Sequence, residues 1–555
     1  MYKKTPINFL KFSVFVTGAV VMALEIIASR LMAPVFGDSV YIWGSLIGVI
    51  MAALAFGYYV GGKMADTNPN FQTFSLTIFA AGVMTLIIPF DSPFILEITS
   101  GIGLGERYGP IIATLLLLAA PTTLLGILSP YAVRLATESL SSVGGTSGSL
   151  YSISTGGSIF GTFFTVFFLV PTIGVRTIIF SLGLILIALS LVGLSRMEKF
   201  FAILLAILVT MPSGSILSGA LSSYSGTVIY QKDTPYNSLM VVDYLDTGKR
   251  ILWMNSLPHS AMYLNGSSNS AFLYTDYFNV AFAFSSDIKR VLFIGGGGYS
   301  GPKNFFFDYP EVKIDVVEID ATVVDVAKEY FRVPDDPRLR SYVDDGRAFL
   351  TKTNELYDLI VLDAYSKSHV PFHLMTEEFF KLVDTHLAQG GLVVSNLISS
   401  LIGDTSDLLR AEYKTVTLVL PQAYLFRTKS SSLSTIQNII LVATKTDNRY
   451  SIQTLEENIA ESTNRPEVLT SYVSNLYDES IRIDDIPVLT DNYAPTENLL
   501  NPVTGAPYEG GEEQLPRSSV NYLLIAGAWT AALVTVYYTS NAIKKTMSSR
   551  VPKSS

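Results

Sequence analysis

Residues 291–301 read VLFIGGGGYSG. Four glycines after an apolar run let a backbone approach a ligand with no Cβ in the way. A helix predicted to begin near Ser300 turns its first amides toward the same place. Gly296, Gly298 and Gly301 satisfy G-x-G-x-x-G, the spacing of a dinucleotide fingerprint. By itself the match leaves a dinucleotide, S-adenosylmethionine or no ligand open. Further along come acids at regular intervals: Glu318 and Asp320, then Asp344-Asp345-Gly346, then Asp363-Ala364-Tyr365. An acid about 20 residues after a glycine loop is placed to accept hydrogen bonds from ribose hydroxyls. The next acid can accept from an adenine amine, and the last lies beside the reacting centre of such a site. Glycine-rich and acidic strand ends in series suit an adenosyl ligand better than a dinucleotide. The alternative is that Asp345 and Asp363 only cap the helices that follow them.

These residues need strands to carry them. RVLFIG, KIDVVEI, RSYV, YDLIVLDA and GLVVSNL read as strands, separated by helical PKNFFFDY, TVVDVAKEYF, GRAFLTKT and TEEFFKLVDTHL. Such alternation predicts a parallel sheet wrapped by helices, with ligands at the carboxyl ends of the strands. Upstream, TVIYQ, LMVVDYL and KRILWMN predict a small β-rich subdomain over 223–289, ahead of a nucleoside-donor domain over 290–517.

The rest of the 555 residues has a different character. The chain is 49% hydrophobic and only 15% charged, a balance ordinary for a membrane protein. Apolar stretches near 10–32, 41–62, 73–90, 111–134, 149–170, 176–195 and 199–217 predict a bundle of about seven spans over 1–217. A further span is predicted at 521–540, before a basic tail at 541–555. Gly57 with Gly61, and Gly157 with Gly161, are spaced to let helices approach closely. Glu25 and Arg30 lie toward the end of the first span, about 500° apart in helical turn, and so on different sides. There is no cysteine, and His259, His369, His373 and His386 are not spaced as a zinc site. A net charge of −9 argues against nucleic acid as a partner. The distribution of lysine and arginine places both termini in the cytoplasm, and seven spans would then put the 223–517 region outside.

In these segments the sequence resembles the spermidine synthase family of polyamine aminopropyltransferases, and more narrowly its membrane-fused members. The resemblance rests on IGGGGYSGPKNFFFDYPEVKIDVVEID at 294–320, DDPRLRSYVDDGRAFL at 335–350 and YDLIVLDAYSKSHVPFHLMTEEFF at 357–380. TPYNSLMVV at 234–242, ALEIIASRLMAPVFG at 23–37 and VLTDNYAPTENL at 488–499 extend it. It implies a multi-pass α-helical membrane bundle joined to a Rossmann-like α/β domain of the class I methyltransferase type, with a small N-terminal β subdomain. The implied activity is transfer of the aminopropyl group of decarboxylated S-adenosylmethionine to an amine such as putrescine. The donor is a co-substrate, and neither a prosthetic group nor a metal is expected. Partners are the lipid bilayer and a small amine, and the resemblance admits a homodimer.

By the same resemblance, Gly295, Gly296, Gly297 and Gly346 line the donor, Glu318 holds the ribose and Asp345 the adenine. Asp363 orients the attacking amine and takes its proton. Tyr274, Tyr365 and Asn237 border the amine, with Asn237 standing where the family usually has glutamine. Two family acids are replaced, by Gly298 and Ser366. Asp276, Asp491 and Glu497 are the candidates to restore negative charge, whereas Lys367 and His369 add positive character. His373 is expected to be a helix-start residue rather than a base. The replacements keep two alternatives in view: an S-adenosylmethionine-dependent transferase, such as a methyltransferase, with another acceptor, and a transporter or scaffold with a binding domain. Donor chemistry places the domain in the cytoplasm, against the charge bias.

Overall fold

The computed structural model describes residues 7–36, 40–67, 69–101, 105–137, 139, 142–196, 198–200, 226–255, 257–267, 269–366, 370–429, 432–446, 449–462, 465–504 and 508. Contacts divide the chain into two units, the second running from Ser225 to Pro516.

The first unit is helical: α1 (Ile7–Phe36), α2 (Val40–Thr67), α3 (Phe71–Gly101), α4 (Gly105–Ala136), α5 (Val143–Phe164), which continues through a wider turn at Thr165–Leu169, and α6 (Val175–Ser190). Five of these helices are long and apolar enough to cross a membrane, and α6, at 16 residues, is shorter. Six of the seven spans expected from hydropathy fall on these five long helices and the short one. Apart from its first two residues, the span expected at 199–217 lies outside the described residues. So do the span at 521–540 and the tail.

Both glycine pairs are packing surfaces. A Cβ on Gly157 would lie 2.0 Å from the Phe15 carbonyl oxygen, and one on Gly161 would lie 2.3 Å from that of Ala19, so α5 rests backbone-to-backbone on α1. In the same way Gly57 and Gly61 of α2 face Thr123 and Ile127 of α4, at 2.3 and 2.5 Å. Apolar side chains gain little by leaving lipid for a helix interface, so close backbone approach carries much of the association.

The second unit holds two sheets. β1 (Thr227–Asp233), β2 (Ser238–Tyr244), β3 (Lys249–Met254) and β4 (Leu257–Tyr263) form an antiparallel meander. Its fourth strand was not expected from the sequence. The larger sheet comprises β5 (Arg290–Ile294), β6 (Lys313–Glu318), β7 (Leu339–Val343), β8 (Tyr357–Leu362), β9 (Leu387–Ser399), β10 (Gln422–Arg427), β11 (Gln437–Thr444) and β12 (Leu476–Tyr477), in the order 12-10-11-9-8-5-6-7. The 9-8-5-6-7 block is parallel, and β10 to β12 join it antiparallel. β5 and β8 are buried along almost their whole length, as expected for strands covered on both faces. The chain moves outward from β5 through β6 to β7, then returns to β8 on the other side of β5. That reversal opens a crevice between the carboxyl ends of β5 and β8.

Gly61→Ala and Gly161→Ala place a methyl group against backbone, and each is expected to cost about 1–3 kcal/mol of bundle stability. Gly62→Ala, with nothing within 4 Å of its Cβ position, is expected to be neutral. Thermal unfolding of the full chain in detergent compares the three.

Candidate functional site

Parallel register places the chemical residues in one row. Ile294 pairs with Val317 on one side and Leu362 on the other, Glu318 pairs with Val343, and Leu362 pairs with Ser395. Gly295, Glu318, Asp345, Asp363 and Asn396 therefore all stand at the rim. Hydrogen bonds from Gly295 N to Val317 O (2.9 Å) and from Asp363 N to Ile294 O (2.9 Å) carry the ladder one residue past the strand ends.

At Gly295 φ is +101°, and a Cβ would lie 2.3 Å from the Asp363 carbonyl oxygen; only glycine meets both conditions. Glu318 shapes the loop that follows. Its Oε2 accepts from the amides of Gly296 (3.0 Å) and Gly297 (3.2 Å), and its Oε1 accepts from Asp320 N (3.1 Å). Burial pushes the Glu318 carboxyl up, and these three amides oppose the shift. Asp320 caps helix Ala321–Tyr330 through Thr322 N and accepts from Thr234 Oγ1 at 2.5 Å, which ties the β1–β2 turn to the second strand end. In that turn the Asn237 side-chain oxygen accepts from Asn255 Nδ2 at 2.9 Å.

The glycine at 298 has a packing reason. Its amide donates to Ser260 Oγ at 2.8 Å. A Cβ there would meet Ser260 Cβ at 2.7 Å and the Phe331 ring at 3.0 Å. The space an acid would need is occupied by side chains from β4 and from the end of helix Ala321–Tyr330.

Asp345 does cap helix Gly346–Lys352, its Oδ1 accepting from Ala348 N at 2.9 Å. Its Oδ2 also accepts from His373 Nε2 at 2.8 Å. Burial opposes ionisation, but the Ala348 amide and the imidazole outweigh it and hold this carboxyl below its usual range. His373 lies in the single turn Phe372–Leu374 and holds a partner across the rim, so it does more than start a helix. Gly346 leaves no room for a side chain, because a Cβ would sit 2.4 Å from Ile294 Cγ2.

Asp363 caps no helix among the described residues. It is half-buried at the end of β8, and its Oδ1 accepts from Asn396 Nδ2 at 2.9 Å. Burial pushes its carboxyl up to about 7, against that one hydrogen bond. Tyr274, on the short helix Leu273–Tyr277, is close enough for burial and the Asp363 charge to raise its phenol well above its ordinary value. Its hydroxyl donates to His259 O at 3.2 Å. Tyr508, beyond helix Thr496–Thr504, also feels the Asp363 charge, which with burial raises its phenol.

Three expectations are corrected. Tyr365, expected beside the amine, is packed in the core instead, and its hydroxyl donates to Leu374 O at 2.9 Å. Asp276 does not restore negative charge, because both its oxygens accept from Arg465, one of them also from Tyr472. Asp491 is likewise committed, to Arg347 at 2.6 and 2.7 Å and to Thr376 at 2.7 Å. Glu497 lies in the first turn of its helix. Lys367 and His369 lie outside the described residues. Sequence reasoning missed Asn396, which no motif marks; its only signal was the polar pair Ser395-Asn396 inside an apolar stretch of β9.

A second buried acid lies beneath the rim. Glu412, on helix Asp407–Val416, is fully buried; Oε1 accepts from Ser395 Oγ at 2.7 Å and Oε2 has no partner. Burial pushes this carboxyl up to about 8. Between the ordinary glutamate range and pH 8 the unfolded chain has released this proton and the folded chain retains it, so stability falls as pH rises through that window. The change is on the order of 4 kcal/mol. Glu412→Gln is expected to melt higher than the parent at pH 9 and to converge with it toward pH 5. A melting difference independent of pH would show that Glu412 is not the titrating group.

Residues 272–449 match the family described as Spermine/spermidine synthase domain. The chain is 28% identical over 312 residues to a polyamine aminopropyltransferase of Vibrio vulnificus, covering 52% of this chain and 96% of that one. It is 29% identical over 286 residues to a probable polyamine aminopropyl transferase of Bifidobacterium longum, covering 49% of this chain and 61% of the relative. Among solved structures, a probable spermidine synthase from Corynebacterium glutamicum aligns with a TM-score of 0.37 at 22% identity, over 47% of this chain and 98% of that one. The spermidine synthase of Thermotoga maritima aligns with a TM-score of 0.33 at 18% identity, over 44% and 87%. The glycine loop and the acids at successive strand ends all lie within residues 272–449, the part of the chain that matches the spermine/spermidine synthase domain.

Proposed function

We propose that this chain is a membrane-bound aminopropyltransferase of polyamine biosynthesis, moving the aminopropyl group of decarboxylated S-adenosylmethionine to a primary amine such as putrescine. The observation that carries the reading is the placement of Asp363: a half-buried carboxylate at the end of β8, against the glycine loop that ends β5, with burial pushing it toward its neutral form. The reaction is a displacement. The amine nitrogen attacks the aminopropyl carbon bonded to the sulfonium, and a C–N bond forms. The C–S bond breaks, and its electron pair stays on sulfur as the neutral thioether of 5′-methylthioadenosine. The nitrogen must lose a proton, and Asp363 accepts it. The sulfonium is a good leaving group, so holding the two partners in line is the larger task. Gly295, Gly296, Gly297 and Gly346 would line the donor, Glu318 would meet its ribose and Asp345 its adenine. Tyr274 and Asn237 would border the amine.

Five long apolar helices support a multi-pass membrane placement. A donor made in the cytosol favours a cytoplasmic second unit. Because the chain has no cysteine, Asn269→Cys is a unique label site, and it is expected to react with a membrane-impermeant maleimide only after cells are opened. Labelling of intact cells would reverse the orientation.

Asp363→Asn is expected to lower kcat by about 10²–10⁴-fold while 5′-methylthioadenosine binding, read by calorimetry, persists. In the parent, kcat/KM should fall as pH drops below about 7, because the free carboxylate becomes protonated. Turnover with putrescine and labelled donor checks both. A methyl-labelled product from S-adenosylmethionine, with none from the decarboxylated donor, would favour the methyltransferase alternative.

A further inference from the structure

We infer that Tyr508 and Asn438 are positioning residues for Asp363, joined to it through Asn396 in a one-directional hydrogen-bond relay. Tyr508 Oη donates to Asn438 Oδ1 at 2.5 Å, Asn438 Nδ2 donates to Asn396 Oδ1 at 2.8 Å, and Asn396 Nδ2 donates to Asp363 Oδ1 at 2.9 Å. The relay crosses three neighbouring strands, β8, β9 and β11. Asn396 is opposite Ile440 and Asn438 opposite Ile398, so the two amides are diagonal neighbours on one face. Both are buried, at 4% and 5% exposure, among apolar residues of the same strands. Buried amides are costly unless each finds its partners.

The direction of the relay follows from its end. An ionised carboxylate only accepts, so Asn396 must present its NH₂ to Asp363 and its oxygen to Asn438. Asn438 must then present its own NH₂ to Asn396, and its oxygen faces Tyr508, whose hydroxyl is left to donate. Each donor polarises the next toward the carboxylate. The relay therefore favours the ionised form of Asp363 and fixes the plane of its carboxyl group. Among the described residues, the titratable side chains that feel the Asp363 charge are Tyr274, from helix Leu273–Tyr277, and Tyr508 itself. Neither is a cation, so the relay is the polar support that the ionised form has inside the fold.

The kinetic arm of the test rests on the transferase reading, and the melting arm does not. Tyr508→Phe removes only the relay's first donor. In the full chain in detergent it is expected to lower kcat about 3–10-fold, leave the donor KM unchanged and move the acid limb of the kcat/KM profile to higher pH. Asn438→Ala is expected to do the same, and the double variant to be no worse than the poorer single one. An unmoved acid limb, or losses that multiply, would overturn the relay. Should the chain show no transfer at all, the transferase reading fails and the melting arm decides the relay. In a Glu412→Gln background, the pH dependence of melting near pH 7 should shift upward in Tyr508→Phe and vanish in Asp363→Asn. A profile unchanged by Tyr508→Phe would overturn the inference.

Discussion

The close contact between Gly295 and the backbone of Asp363 is the constraint on which the site depends. Two parallel strands end side by side, and the chain leaves the first with a positive φ at a distance no side chain would permit. Everything the proposed chemistry needs is arranged around that contact. The glycine loop turns over β5 because Glu318 collects its amides from β6. Tyr274 lies close enough to feel the Asp363 charge. A methyl group at residue 295 would push the glycine loop away from Asp363.

Burial without a cation sets the electrostatic character of the rim. Asp363 and Glu412 are both pushed upward because each gives up water for a single side-chain hydrogen bond. Asp276 and Asp491, by contrast, are paired with arginines. Asp276 and Asp491 tie elements together through guanidinium groups, whereas Asp363 and Glu412 have no such partner among the described residues. Counting carboxylates in the sequence does not separate the two kinds, because the partners Arg465 and Arg347 lie 189 and 144 residues away from them.

That separation in the chain explains what was legible. Strands β5 to β9 and the helices between them follow from apolar runs and turn residues, since each is a local pattern of period two or 3.6. The strand-end rule then marked Glu318, Asp345 and Asp363 without any tertiary information. The β4 strand was lost because LPHSAMY does not alternate and starts two residues after β3 ends. Asn396, Asn438 and Tyr508 come together from β9, β11 and the segment after the last helix, and no spacing in the sequence announces such a meeting. Hydropathy found the apolar helices but not their lengths, because Asp91, Glu97, Glu106 and Arg107 end the apolar runs while α3 and α4 continue through them.

The crowding at Gly298 also constrains how the donor pocket could have changed. Ser260 Cβ and the Phe331 ring stand within 3.0 Å of where its side chain would begin. An aspartate inserted there alone would collide before it reached any ligand, and a smaller residue at 260 alone would leave the Gly298 amide without its acceptor. The two positions are thus locked to each other, and an acid at 298 requires both to change at once.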